Sequence, residues 1–226
     1  MTKITVLDLA GVIYSAGKVF DGLDTGRLAT ENFLRSGSLE GVTSRSDLAL
    51  LEDLRDVAQY VIDNAASGAP FTIDANYVRA INAKITRSGA LHPGEFRTSD
   101  QGIGVNTPEG RHEPEAITET ELQRIIDRAQ TSDPVETALD VFVETAKAQP
   151  FEDGNKRTAL FAANSVLIAA DTGKLLTIPH DELDDDVARS FIKLMAKAYV
   201  HDQHDGVKTM LRDQGLASRR GLRRGP

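Results

Sequence analysis

The sequence predicts a mainly α-helical protein, a helical bundle with one small β-hairpin. Apolar residues recur at helical spacing in several segments, whereas the alternation typical of strands is confined to one short stretch. Glycine and proline are concentrated between residues 89 and 110, which is where a hairpin fits, near Thr98 to Val105, with an irregular loop as the alternative. The length of 226 residues suffices for one domain with a proper core.

The clearest helix is predicted over residues 48–62, where leucine, valine and isoleucine mark one broad face and charged residues the other. Asp74 is a typical N-cap and predicts a second helix behind it. Further helices are predicted near residues 118–129, 134–147, 157–172 and 181–200. The apolar residues expected in the core around the helix predicted near residues 157–172 are Val141, Phe142, Phe151, Phe161, Val166, Leu167 and Ile168.

Composition narrows the class of protein. The chain has no cysteine, which excludes disulfides and cysteine-ligated metals, and its net charge of −8 argues against nucleic acid as the main partner. No apolar run reaches the roughly 18 to 20 residues of a membrane span, and the first residues lack a convincing cleavage signature. We therefore expect a cytoplasmic protein without membrane contact, and the sequence is compatible with a homo-oligomer.

Three segments are expected along the chain: an N-terminal segment over residues 1–47, a helical domain over 48–205 and a tail over 206–226. The end of the tail, from Ser218 to Pro226, is basic and glycine-rich, which predicts a disordered terminus; contact with nucleic acid or an acidic partner is the alternative. The acidic run Asp184 to Asp186 is interpreted as a helix start, where the dipole favours negative charge, in preference to a metal cluster.

The most informative stretch is the polar loop at residues 149–156, which runs directly into an apolar helix. Gly154 lets the backbone approach a ligand closely, and the free N–H groups of the helix's first turn attract an anion. Lys156 and Arg157 add positive charge, and Asp153 is suited to hold a magnesium ion that a nucleotide brings with it. The alternative is a polar loop that caps a core helix, with Asp153 or Asn155 satisfying the end N–H groups.

This loop resembles the signature of the Fic/Doc family, in which a histidine is followed by Phe, Asp or Glu, Gly or Ala, Asn, Gly or Lys, and Arg. Every defined position from Phe151 to Arg157 matches, but Gln149 stands where the family has histidine. The resemblance implies transfer of a nucleotidyl group, usually AMP from ATP, to a hydroxyl side chain of a target protein, and some Doc-type members transfer phosphate. It implies ATP and Mg²⁺ as ligands. It also assigns Gly154, Asn155, Lys156 and Arg157 to the nucleotide phosphates and Asp153 to the metal.

Two further stretches fit the same family. Residues 36–41 are similar to its autoinhibitory pattern, which implies an N-terminal inhibitory helix with Ser36 and Glu40 as the inhibitory residues. The alternative is an ordinary helix start or a solvated face, with Gly41 ending the turn. Residues 94–105 resemble the hairpin flap that docks the target. The residues that this similarity assigns to docking are Thr98, Gly102, Ile103 and Gly104.

Departures from the family pattern weaken the expectation of catalysis. Glutamine has no proton equilibrium near neutral pH, so Gln149 cannot act as the general base, whose loss typically costs a factor of about 10² to 10⁴ in rate. His92 and His112 are the candidate substitutes, although a loop histidine is more often solvated. Leu160 replaces a second arginine, which leaves Glu40 without its usual partner, and Lys156 in place of glycine makes the loop Doc-like.

Two classes of function follow. The first is a Fic-type protein adenylyltransferase whose activity is impaired or lost because of Gln149. The second is a catalytically degenerate regulator that binds a nucleotide or a partner protein, with a Doc-like phosphotransferase as a further alternative.

Overall fold

The computed structural model describes residues 3–89 and 91–219, and within them the protein is mainly helical. The prediction of a helical bundle is confirmed. The helices are α1 (Ala10–Ala16), α2 (Arg27–Ser36), α3 (Arg45–Ala65), α4 (Ala75–Asn82), α5 (Glu119–Ala129), α6 (Pro134–Ala148), α7 (Asn155–Ala169), α8 (Asp185–His201) and α9 (Asp205–Met210).

Helix α7 is the centre of the bundle and packs against α3, α4 and α6. Every residue from Arg157 to Ser165 is buried, as expected for a helix that is covered on all sides. The small side chains of Ala159, Ala162 and Ala163 have no exposed surface and let the neighbouring helices come close. The N-terminus of this buried helix is where the polar loop enters.

Side chains cap several helices in the way that the sequence predicts. Asp74 accepts a hydrogen bond from the amide of Tyr77 at 2.7 Å and begins α4. Asp184 caps α8, with Asp185 and Asp186 in its first turn, so the acidic run does mark a helix start. This helix begins later than the predicted residue 181, because the chain between 181 and 184 forms a turn in which Asp181 accepts from the amide of Leu183.

Two small antiparallel sheets accompany the helices. Strand β1 (Val105–Thr107) pairs with β2 (Gly110–His112), and β3 (Lys174–Leu176) pairs with β4 (Leu216–Ser218). The predicted hairpin therefore exists, but its place near residues 98–105 is wrong. The Gln101 amide donates to the Thr98 carbonyl in a tight turn, so regular pairing starts only at Val105. The second sheet was not predicted, because its two strands are distant in sequence.

The N-terminal residues belong to the same core as the central helices. A 3₁₀ turn (Val6–Leu9) leads into α1, all of whose residues are buried, and a π-helical segment (Gly17–Asp21) follows it. At the other end, α9, a π-helical turn (Leu211–Gly215) and β4 are folded onto the domain. The proposed boundaries after residues 47 and 205 stay predictions. Of the predicted disordered end, Ser218 belongs to β4 and the Arg219 amide donates to the Gly173 carbonyl, whereas residues from 220 onward lie outside the described residues.

Most of the predicted core is confirmed. Val141, Phe142, Phe151, Phe161 and Leu167 are fully buried. Val166 and Ile168 are only partly buried, because both lie beside surface grooves near the end of α7. No helix within the described residues combines the length and apolar character needed to cross a membrane.

Candidate functional site

The polar loop starts with a sharp turn at Gln149, the residue after α6. Its backbone is left-handed, at φ 47° and ψ 55°, a conformation that costs a non-glycine residue about 1 kcal/mol. Arg97 holds this turn: its Nε donates to the Gln149 carbonyl at 2.7 Å, and its backbone amide donates to the carbonyl of Pro150. The same guanidinium donates to the carbonyls of Pro114 and Glu115. Arg97 thus joins the loop to the chain that leaves the β1–β2 hairpin.

The side chain of Gln149 is buried and fully engaged. Its Nε2 donates to the Ala146 carbonyl at 2.6 Å, and its Oε1 accepts from Asn155 at 3.2 Å. Only 5 % of the residue is exposed, although it lines a cavity in front of the loop. At this position the protein therefore presents a fixed amide in place of a group that exchanges protons.

Asn155 fixes the shape of the loop from inside. Its Oδ1 accepts from the Phe151 amide at 2.9 Å, and its Nδ2 donates to the Phe151 carbonyl at 2.8 Å. The Phe151 ring is buried against Phe96 at 5.4 Å between centroids. The amide of Asn155 is thus hydrogen-bonded within the loop, and its predicted contact with phosphate stays a prediction.

Gly154 precedes the first turn of α7 and adopts φ 72°, the left-handed region that favours glycine. A Cβ atom here would lie 2.8 Å from Cδ1 of Ile85 and 3.3 Å from Nδ2 of Asn82. Asn82 in turn donates to the Asp153 carbonyl at 2.9 Å and to the Thr158 hydroxyl. No side chain of the described chain caps this helix, so the amide N–H groups of its first turn are left for a ligand.

The two cations of the loop are placed differently. Lys156 lies with its Nζ 5.1 Å from the centre of the Phe20 ring, and burial lowers the pKa of this lysine while Asp21 opposes the shift. Arg157 is only 3 % exposed, and its NH1 donates to the Ser88 hydroxyl at 2.8 Å. Its remaining nitrogens face two carboxylates, with Nε 3.5 Å from Asp21 and NH2 3.6 Å from Asp153.

Asp153 is the one predicted metal ligand, and its side chain is 53 % exposed. Its Oδ1 accepts from the Gly154 amide at 2.5 Å, which fixes that oxygen. Within the described residues no group of three histidine or acidic side chains is arranged for a metal ion. A magnesium ion that arrives with a nucleotide usually takes one or two protein carboxylates and keeps several water ligands, so the metal-binding role of Asp153 stays a prediction.

Three parts of the chain enclose a cavity of about 380 Å³ around this loop. The loop provides one wall, Ile103 to Val105 provide a second, and Phe20 with Asp21 from the π-helical segment provide a third. Gly104 is tightly packed, because the guanidinium of Arg111 occupies the space that a Cβ atom would need. Larger grooves exist elsewhere on the surface, but this cavity is the one into which the uncapped helix N-terminus opens.

Of the predicted docking residues, Ile103 and Gly104 line this cavity, whereas Thr98 and Gly102 are exposed outside it. Ser36 is the last residue of α2 and donates to the Asn32 carbonyl, and Glu40 lies in an exposed turn. Within the part of the chain described, no ion pair joins Glu40 to the loop. The structure thus does not bring these two residues to the cavity, and their inhibitory role stays a prediction.

The two candidate replacement bases also differ in position. His112 is built into the fold, with Nε2 2.7 Å from the Lys147 carbonyl oxygen and its ring stacked on Tyr199. His92 lies at the rim, with Nδ1 3.4 Å from a carboxylate oxygen of Glu152, a residue that lines the cavity. Neither histidine lines the cavity itself.

Sequence reasoning missed a set of supporting residues. Asp53, buried in α3, accepts hydrogen bonds from the amides of Thr86, Arg87 and Ser88, and so places the Ser88 hydroxyl against the guanidinium of Arg157. Asp21 was missed because nothing in its local sequence distinguishes it from other acidic residues. Asp53 carried one usable signal, an acidic residue on the apolar face of an amphipathic helix.

Comparison with known proteins agrees with this geometry. A family model described as the Fic/DOC family matches residues 72–167, a range that contains α4, the β1–β2 hairpin, the loop and most of α7. No curated protein matches the chain.

Several solved structures share the fold. A Fic domain-containing signalling protein from Bacteroides thetaiotaomicron is 18% identical, with a TM-score of 0.62 over 90% of this chain and 78% of that one. A Fic-1 fragment from C. elegans is 16% identical, with a TM-score of 0.70 over 93% of this chain, which spans 60% of the fragment. The N-terminal Fic domain of a Bartonella quintana cell filamentation protein, with bound ADP, is 16% identical, with a TM-score of 0.51 over 77% of this chain and 87% of that one. At these identities the likeness shows the fold.

Proposed function

Since this chain belongs to the Fic/DOC family through residues 72–167, we propose that it binds ATP with Mg²⁺ in the cavity in front of the loop Gln149–Arg157. The phosphates lie at the N-terminus of α7, where the amide N–H groups of the first turn and the helix dipole favour an anion. Lys156, which lines the cavity, supplies positive charge beside this helix N-terminus. A cytoplasmic location, where ATP is abundant, is part of this proposal.

The single observation that carries the proposal is the uncapped start of α7, which opens into a cavity behind a left-handed glycine. Gly154 leaves the space that a phosphate needs, and no side chain of the described chain competes for the amides. The ADP in the Bartonella quintana domain supports a nucleotide as the ligand. When bound, Mg²⁺ would neutralise phosphate charge, and the half-exposed carboxylate of Asp153 is the group that this chain offers it.

Transfer of AMP to a target hydroxyl is impaired or lost, because no proton acceptor stands at the first position of the signature. The Gln149 amide is buried and bonded to Ala146 and Asn155, and an amide cannot take the proton from a hydroxyl group. The loss of one general base lowers the rate by a factor of about 10² to 10⁴, whereas electrostatic stabilisation by the loop is retained.

Docking of the target protein is proposed along the segment Gly102 to Val105. Among the described residues β1 pairs only with β2, and the proposal places an extended peptide along its other edge. Ile103 and Gly104 line the cavity beside this edge, and Thr98 and Gly102 lie exposed next to it. A peptide bound there would place a hydroxyl side chain near the loop.

Calorimetric titration with ATP and Mg²⁺ tests the binding part of the proposal. We expect binding by the parent and an affinity about tenfold lower for Lys156→Ala, which removes one charge contact to phosphate. Lys174→Ala is the matched control, because Lys174 lies exposed on β3 and does not line the cavity. An equal effect of both substitutions would contradict phosphate binding at the loop.

Incubation with labelled ATP and a lysate tests the catalytic part, with the parent compared with Gln149→His. Label transfer by the histidine variant alone supports a disabled transferase. Transfer by both proteins means that another base acts, and His92→Asn then identifies or excludes the histidine beside Glu152. Transfer by neither protein, with binding intact, favours a nucleotide-binding regulator.

Phosphate transfer is a second candidate, favoured by Lys156 and Leu160. Position 160 is a leucine in place of the second arginine that would hold a terminal phosphate, and its side chain is fully buried in the core. Parallel assays with ATP labelled at the α or at the γ phosphate separate the two reactions. Label from the γ position alone would indicate phosphotransfer.

A further inference from the structure

The π-helical segment Gly17–Asp21 enters the cavity from the N-terminal side and is anchored there. The ring of Phe20 lies 6.5 Å from that of Phe142 and 6.4 Å from that of Phe191, both of which are buried. Its backbone is closed at the C-terminal end by Gly22, at φ 68°, and by a hydrogen bond from the Leu23 amide to the Gly17 carbonyl. The residue next to Phe20, Asp21, is therefore placed in the cavity by packing of the core.

Both side chains at the end of this segment contact the loop's cations. Phe20 covers the ammonium of Lys156 at 5.1 Å, and the carboxylate of Asp21 lies 3.5 Å from Nε of Arg157. With Ser88 and Asp153 on its other nitrogens, the guanidinium of Arg157 retains almost no exposed surface. A phosphate group can therefore reach Arg157 only by displacing a carboxylate.

Asp21 contacts Arg157 from outside the loop, at 3.5 Å compared with 3.6 Å for Asp153. Burial raises the pKa of Asp21 above its ordinary value of 3.8, even though Arg157 and Lys156 act to lower it. The environment thus disfavours the charged carboxylate, whose side chain is 23 % exposed and has a path to solvent. Asp153, by contrast, is tied to the Gly154 amide.

We propose that Gly17–Asp21 is an autoinhibitory segment in which Asp21 occupies Arg157 in competition with nucleotide phosphate. This inference rests on the proposed function, since it names the regulation of the same cavity. The segment differs from the pattern at residues 36–41, because Asp21 touches the loop whereas Glu40 lies in an exposed turn. Movement of this segment would uncover the ammonium of Lys156 and take Asp21 away from Arg157.

Calorimetric titration with ATP and Mg²⁺ tests this inference on the full chain with the variants Asp21→Asn, Asp24→Asn and Asp21→Glu. Asp24 is exposed on the following turn and does not line the cavity, so its substitution changes net charge equally without touching Arg157. We expect Asp21→Asn to bind ATP about tenfold more tightly than the parent, in line with removal of one competing charge. Asp24→Asn and Asp21→Glu should bind like the parent.

Equal affinities of Asp21→Asn and Asp24→Asn overturn the inference, and so does weaker binding by Asp21→Asn, which would make Asp21 a positioning residue for Arg157. A gain in affinity for Glu40→Gln without a gain for Asp21→Asn assigns the inhibition to residues 36–41 instead. If neither the parent nor any variant binds a nucleotide while all remain folded by thermal unfolding, the proposed function itself fails. Binding by the parent with no gain in Asp21→Asn contradicts the autoinhibitory segment alone.

Discussion

The loop Gln149–Arg157 and the segment Gly17–Asp21 line the same cavity but are held in place by different forces. The loop is fixed by short-range hydrogen bonds, chiefly those between Asn155 and Phe151. The segment has few such bonds and is fixed by aromatic packing of Phe20 on distant parts of the core. Polar contacts within a loop require particular residues at fixed spacing, which can be recognised in the sequence, whereas packing contacts can be made by many sequences. The loop could therefore be predicted, and the segment Gly17–Asp21 could not.

The largest effect is expected from a substitution at Gly154, in the loop Gln149–Arg157. We expect Gly154→Ala to lower the free energy of unfolding by about 2 to 3 kcal/mol, because the new methyl group adds contact with Ile85 to the cost of the left-handed backbone. Gly37→Ala is the control: its φ of 73° is nearly the same as the 72° of Gly154, but open space surrounds it. It should lose only about 1 kcal/mol. Urea unfolding measures both, and equal losses would mean that close approach at Gly154 is unimportant.

The two walls also show how much of the site could be predicted from sequence. Gly154, Lys156 and Arg157 were expected at the cavity because they are neighbours in sequence, and the spacing of a loop into a helix fixes their placement. Two further partners of Arg157, Asp21 and Ser88, were not predictable, since both are distant from it in sequence and only the fold brings them together.

The fold shows the same limit. Helices α3 to α7 follow from local periodicity and caps, and they are confirmed within a few residues. The β1–β2 hairpin was misplaced because the turn at Thr98 to Gln101 depends on side-chain bonds that the pattern does not reveal. The β3–β4 sheet depends on a contact between Leu175 and Ala217, which no local signal announces.

Substitution of Asn155 tests whether the hydrogen bonds that shape the loop matter for ATP binding as well as for stability. We expect Asn155→Ala to lower the free energy of unfolding by about 2 kcal/mol, because the backbone groups of Phe151 lose their partners. Asn164→Ala is the control. Asn164 lies in the same helix as Asn155 and makes buried hydrogen bonds to the backbone of Leu160 and Leu176. Both should destabilise the protein, but only Asn155→Ala should weaken ATP binding. Unchanged ATP affinity in Asn155→Ala would show that the loop's shape does not matter for the ligand.

Substitution of Phe20 tests whether packing of the segment Gly17–Asp21 affects ATP binding. We expect Phe20→Leu to lower the free energy of unfolding by about 1 kcal/mol and to increase ATP affinity, because Lys156 loses the ring that covers it. The control is Phe33→Leu in α2, where Arg55 lies 5.3 Å over the ring but the cavity is not involved. Thermal unfolding should show similar losses for the two variants. If Phe33→Leu raises ATP affinity as much as Phe20→Leu does, the effect is global and the special role of the segment is contradicted.

The smallest expected effect is in the pH dependence of stability, where two buried carboxylates hold different parts of the chain. Asp47 accepts from Thr25 and Thr43 near the N-terminal segment, and Asp53 accepts from the amides that place Ser88 against the loop's arginine. Burial raises the pKa of each, but these hydrogen bonds outweigh it and hold both pKa values below the ordinary 3.8.

A lowered pKa in the folded state means that each carboxylate stabilises the protein above pH 3.8 and that this stabilisation is lost as the pH falls toward the folded-state value. The free energy of unfolding of the parent should therefore decrease below about pH 3.8, and Asp47→Asn and Asp53→Asn should each make that decrease shallower. Urea unfolding between roughly pH 2 and 6 measures the slopes. Only Asp53→Asn should also alter ATP affinity at neutral pH, because only Asp53 acts through Ser88 on Arg157. An equal change in affinity for Asp47→Asn would show that the region around Asp47 is coupled to the loop Gln149–Arg157. Packing as well as hydrogen bonding would then set the shape of the loop.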